Sequence, residues 1–232
     1  MSSFSHRLLD ATLIGLPDAV TSVWCLWVWL HPLALGAETV KCVVYMMLME
    51  FALLNVTGFF TAIPFMVEMG RTLRNAMLCV LALVFVALIV AFGSQFEAVW
   101  PYLVFGWLAA GKLAWVVRNR RVTRNEQTWL TGAWAVSMVA YLGAVGLGVT
   151  QTVPTLGIVP AIVPSLHLSG GGEWIAAPQW FSNPQKAVAS AVFYFAAVAV
   201  FKWMCVAVRK NQPGRTRRDD EDAGDRTLDA AS

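Results

Sequence analysis

Apolar blocks about as long as a lipid bilayer is thick recur along this chain, and that spacing removes most folds from consideration before any motif is sought. Six blocks, at about residues 11 to 33, 42 to 67, 76 to 94, 100 to 117, 128 to 149 and 187 to 208, approach the ~20 residues a helix needs to cross roughly 30 Å of hydrocarbon. Composition agrees: 58% of the 232 residues are hydrophobic and 13% are charged, against about 25% charged in ordinary soluble domains. The expected fold class is an all-α membrane protein, a bundle of six transmembrane helices over residues 1 to 208 with a disordered cytoplasmic tail from 209 to 232. That tail is basic, then acidic, and lacks apolar periodicity.

Basic residues alternate between connections. Arg7 precedes the first block, Arg71 and Arg74 follow the second, and Arg118, Arg120, Arg121 and Arg124 follow the fourth. Arg209, Lys210, Arg215, Arg217 and Arg218 follow the sixth. The other connections hold Lys41 near Glu38, then Glu97, then Lys186. Positive charge stays on the cytoplasmic side, so both termini are expected there, in a multi-pass protein of the plasma (inner) membrane. A signal peptide is the competing reading of the first block, because Arg7 precedes it and "ALGA" closes it at residues 34 to 37. Its length and the Pro17-Asp18 interruption argue against that reading. Trp29, Trp100, Trp174 and Trp180 are expected at the outer interface, and Trp115, Trp129 and Trp203 at the inner one.

Small residues at four-residue spacing in the fifth block, Ala140, Ala144 and Gly148, with Gly143 and Gly146 between them, mark it as the expected central packing helix. The third block carries almost no polarity, which suits a lipid-facing helix. The outer loop, residues 150 to 185, holds five of the ten prolines and three consecutive glycines at 170 to 172. It is expected to form one short helix from Pro160 and to fold, with Trp174, Trp180 and Phe181, onto the outer membrane surface. Asn183 followed by Pro184 reads as the start of the last helix.

Several chemistries lose their basis. The four cysteines lie in or beside apolar blocks without metal or redox spacing, so they read as small buried hydrophobes. The sequon at Asn55 lies mid-membrane, out of reach of a transferase. With three histidines, only one of them in a span, a haem held by two membrane histidines is not available. No protease, phosphate-cradle or nucleophile-elbow motif is present. His167 and Glu173 offer two ligands and no third, which favours an exposed loop pair over a metal site. The tail cluster from Arg209 reads as ordinary anchoring in preference to an anionic-lipid dock. No catalytic residue, metal or cofactor is expected, and a membrane enzyme ranks last among the readings. The expected partners are the bilayer, a second copy or another membrane protein, and not nucleic acid.

Charges inside the blocks are the informative set, because each costs several kcal/mol mid-bilayer unless it is paired or wet. Depths from a helical rise of ~1.5 Å per residue place Asp18, Asn55, Thr57, Lys112, Ser137 and Lys202 in one lower layer, roughly 18 to 22 Å below the outer surface. Glu50, Tyr141 and Tyr194 fall in an upper layer, with Glu50 at roughly 12 Å. Three arrangements make Glu50 tolerable: a donating Tyr141 or Tyr194, protonation, or a Lys112 that reaches up. Lys112 and Lys202 also lie near enough to their cytoplasmic ends to snorkel. The leading functional reading is a small transporter or channel-like protein with these nine residues as its polar path or ion-pair set. The alternative is a non-catalytic accessory or assembly subunit of a larger membrane complex.

Overall fold

In the computed structural model, residues 2 to 62, 71 to 118, 124 to 150, 152 to 166, 168 and 178 to 210 are described. They form helices α1 (Ser2–Leu30), α2 (Glu38–Ala62), α3 (Arg71–Gly93), α4 (Trp100–Arg118) and α5 (Arg124–Thr150). A 3-10 turn (Pro160–Leu166), the short α6 (Pro178–Ser182) and α7 (Pro184–Lys210) complete the order. No strand occurs among the described residues. Four stretches, Glu38–Gly58, Asn75–Gly93, Thr131–Thr150 and Pro184–Cys205, are long and apolar enough to cross a membrane. The chain is an all-helical protein with membrane-spanning character.

Proline sets several boundaries. The 3-10 turn, α6 and α7 each begin on a proline, and α4 has Pro101 at its second residue. The ring holds φ near its helical value at a position whose N–H has no intrahelical acceptor. At the other end of a helix the same residue acts as a stop, because Pro32 disfavours helical geometry just before it, and α1 ends at Leu30. Glu38 opens α2, where a carboxylate complements the helix dipole. Pro17 lies inside α1 and the helix continues through it. The Thr21 hydroxyl donates to the Pro17 carbonyl at 2.8 Å.

The centre of the bundle is α2, not α5. α2 packs against α1, α3, α4, α5, α7 and the 3-10 turn, and Val43, Met47 and Leu53 are wholly buried along it. α5 contacts mainly α2 and α7 and turns Val139, Leu142 and Leu147 outward. Its small residues divide accordingly. Ala144 is buried, and a Cβ at Gly148 would fall 2.4 Å from Ser190 Oγ and 3.1 Å from the Lys186 carbonyl, so α7 approaches closely there. Gly143 and Gly146 meet nothing within 4 Å. Small residues permit close approach but do not choose the side on which it occurs.

The third block is largely outward-facing, as expected, with one stripe turned inward. α3 exposes Leu83, Val86 and Val90, yet Leu81 and Phe85 are buried against the bundle. Where lipid and protein interior are equally apolar, composition cannot set the rotation of a helix about its axis.

The chain after α5 seals one end of the bundle. Gly157 N–H donates to the Trp29 carbonyl at 3.1 Å, and Ile158, Leu166 and Leu168 are buried in the core. Trp29 and Trp180, expected at the level of the outer interface, are buried in the protein. Beside them, the Tyr45 ring meets Phe92, Phe96 and Phe181 edge-on at 5.4 to 6.2 Å between centroids. α7 runs through Arg209 and Lys210, two residues into the expected tail. The rest of that tail, the three glycines at 170 to 172, and His167, Glu173 and Trp174 lie outside the described residues.

Candidate functional site

Two lysine-carboxylate pairs lie inside the bundle, each joining helices distant in sequence. The first centres on Glu50 of α2, whose side chain is 0% exposed. Lys112 of α4 places its ammonium 2.5 Å from Glu50 Oε1. The Tyr194 hydroxyl of α7 donates to the same oxygen, and Lys112 also donates to that hydroxyl at 3.4 Å. Oε2, by contrast, is buried without a hydrogen-bond partner among the described residues. One carboxylate oxygen therefore receives two donors and the other none.

Lys112 reaches this carboxylate from one residue beyond Gly111, a position with nothing within 4 Å. Its four-carbon stem carries the charge well away from its own Cα, so a residue assigned to the lower layer acts in the upper one. It does not snorkel toward solvent: only 16% of the side chain is exposed. Tyr194 is fully buried between Tyr141 and Phe195, with ring centroids 5.4 and 4.9 Å away. Tyr141 is near Glu50 but donates elsewhere, to the Met47 carbonyl at 2.9 Å.

The second pair is Asp18 of α1 with Lys202 of α7, 2.5 Å apart. It is wetter, with side chains 9% and 24% exposed. α1 packs chiefly along α7, and one turn from the pair the Ser22 hydroxyl donates to the Val192 carbonyl at 2.9 Å. The two pairs together bring two carboxylates and two lysines into the bundle.

The remaining three of the nine residues do not join it. Asn55 is exposed, and its amide donates to the Phe51 carbonyl of its own helix at 2.7 Å. Ser137 donates to the Ala133 carbonyl one turn earlier, at 3.0 Å. Thr57 is buried, and its hydroxyl has no partner among the described residues. Short polar side chains in a helix can satisfy themselves on the preceding turn, so shared depth alone does not make a layer.

Two polar links were not legible as such in the sequence. Lys41, which reads as a loop charge, lies in α2, buried, with its ammonium 2.8 Å from the Gln95 carbonyl and 4.9 Å from the Phe96 ring centroid. Its adjacency to Glu38 and the aromatic run ahead of Trp100 were the available signals. The Trp134 indole N–H donates to the Leu54 carbonyl at 2.8 Å and lies over Gly58, tying α5 to α2. Among the described residues no group of three or more His, Cys, Asp or Glu side chains is placed to hold a metal ion. Comparison with protein-family models, curated proteins and solved structures gave no match.

Proposed function

We propose that the chain is a small transporter or channel-like protein in which all six long helices cross the plasma (inner) membrane with both ends cytoplasmic, and in which the four-charge set lines a polar path. One observation carries this reading: Glu50, at 0% exposure, keeps a charged partner drawn from a different helix. A buried ion pair gives little net stability over apolar residues of the same volume, because desolvating two charges offsets their attraction. Charges held at that expense inside a membrane bundle are the usual mark of an ion or solute route. Asn55 and Ser137, bonded to their own helices, are peripheral to the route.

The reading is tested with purified protein in proteoliposomes on a solid-supported membrane, exposed to rapid exchange into Na⁺, K⁺, Cl⁻, a neutral amino acid or a sugar. The expected result is a charge-displacement current with at least one probe, lost in a folded Glu50→Gln/Lys112→Met double variant. Silence with every probe would overturn it.

An accessory or assembly subunit is the second reading. The open positions at Gly143 and Gly146 favour it, because the exposed α5 face around them would admit a partner helix closely. A stoichiometric membrane partner in mild detergent, together with electrical silence, is its expected signature.

A further inference from the structure

We propose that Lys41 is the phosphate anchor of a phospholipid site, and that the lipid it takes carries a primary amine on its headgroup. The site lies at the end of the bundle where α2 begins and α3 ends, more than two turns of α2 before Glu50. Lys41 is buried, and its ammonium donates to the Gln95 carbonyl at 2.8 Å with the Phe96 ring centroid 4.9 Å away. A lysine head has three N–H donors and a full charge. The carbonyl satisfies one donor and none of the charge. Among the described residues Lys41 has no carboxylate partner. A ring face offsets part of the cost, but a desolvated ammonium without an anion stays expensive. On the next turn of α2 the Tyr45 hydroxyl is also buried and unpartnered among the described residues, and its ring centroid stands 6.0 Å from the Lys41 ammonium. An oxyanion is a group that accepts from both.

Position selects a lipid phosphate over a soluble one. The stretches Glu38–Gly58 and Asn75–Gly93, both long and apolar enough to cross a membrane, meet at this end, which puts Lys41 and the turn between α3 and α4 at headgroup level. Outward apolar side chains bracket that turn. Val90 lies one turn before Ser94 on α3 and is exposed, and on α4 Val99 and Leu103 are 75% and 72% exposed. Acyl chains cover surfaces of this kind. Glu97, two residues past Gln95, is exposed and has no cationic partner among the described residues. A zwitterionic headgroup complements these two charges: its phosphodiester meets Lys41, and its amine donates to Glu97. A primary ammonium can make that charge-assisted hydrogen bond, whereas a quaternary one has no N–H to give.

Native mass spectrometry of the full chain tests the site, with protein released from micelles that hold equal amounts of phosphatidylethanolamine, phosphatidylcholine, phosphatidylglycerol and diacylglycerol of the same acyl chains. The wild type is expected to retain phosphatidylethanolamine over phosphatidylcholine by about threefold, and also over phosphatidylglycerol and diacylglycerol. Glu97→Gln should level the ethanolamine and choline lipids while both still bind. Lys41→Met should lower retention of phosphatidylethanolamine by about tenfold. Diacylglycerol retained by the wild type as well as phosphatidylethanolamine would overturn the phosphate contact, whether or not Lys41→Met folds. Undiminished retention in folded Lys41→Met would do the same. Equal retention of the three phospholipids, a preference for phosphatidylglycerol, or a Glu97→Gln variant that still prefers the ethanolamine lipid would overturn the amine contact. Thermal stabilisation of delipidated protein by inorganic phosphate alone, equal to that given by phosphatidylethanolamine, would overturn the lipid as the source of the anion.

Discussion

The Glu50–Lys112 and Asp18–Lys202 pairs have the same ammonium-to-carboxylate distance, 2.5 Å, yet they are different objects. Glu50 is wholly enclosed and shares its charged oxygen with Tyr194. Asp18 and Lys202 both retain some exposure. At equal separation the Coulomb energy scales with the inverse of the local dielectric, so the surroundings decide what each pair does. The wetter pair behaves as a clip between α1 and α7. The enclosed one is a site where loss of either partner has a large consequence.

Five substitutions probe this contrast, ordered by expected effect. Lys112→Met leaves Glu50 buried without its countercharge and should destabilise the protein by about 3 to 5 kcal/mol, read as a loss of thermal stability in detergent. Unchanged stability would mean that Glu50 does not depend on the lysine. Tyr194→Phe removes a hydrogen bond to a charged acceptor and should cost about 1.5 to 3 kcal/mol. The same assay checks it, and a loss below that range would transfer the role of principal donor to Lys112 alone.

Asp18→Asn should cost less, about 1 kcal/mol or below, because Lys202 can turn toward water. Added salt should narrow the gap between this variant and wild type, whereas the Lys112→Met deficit should persist in salt. Equal salt sensitivity would erase the distinction between the two pairs. Asn55→Ala and Ser137→Ala, each bonded, among the described residues, to its own helix, should stay within ~0.5 kcal/mol of wild type. A larger loss would return them to the polar set.

Much of the along-chain architecture was legible, for reasons that can be named. Apolar runs of bilayer length, Pro160 and Pro184 at helix starts, and the shared depth of Asp18 and Lys202 all follow from position along a helix axis. What stayed hidden is position around that axis. α3 is apolar on every side, so nothing in its sequence marked Leu81 and Phe85 as inward. The glycines of α5 likewise did not say which of them meets α7, and only Gly148 of the three does so closely. Depth arithmetic by itself put Lys112 a layer too low, because it tracks Cα atoms while a lysine's charge travels on a long stem; of the three arrangements that make Glu50 tolerable, the lysine that reaches up and the donating Tyr194 are both present. The assignment of Glu50 and Tyr194 to one level needed no such stem, and those two do meet.

The Glu50–Lys112 pair is expected to be energetically coupled inside the bundle, and far more strongly than the Asp18–Lys202 pair. Paired double-mutant cycles measure this most directly, one built on Glu50→Gln with Lys112→Met and the other on Asp18→Asn with Lys202→Met, each followed by unfolding in the same detergent. The first double variant should recover most of the stability lost by Lys112→Met alone, with a coupling energy of about 2 kcal/mol or more. The second cycle should yield about 1 kcal/mol or less. Additive effects in the first cycle, or equal coupling in both, would contradict it.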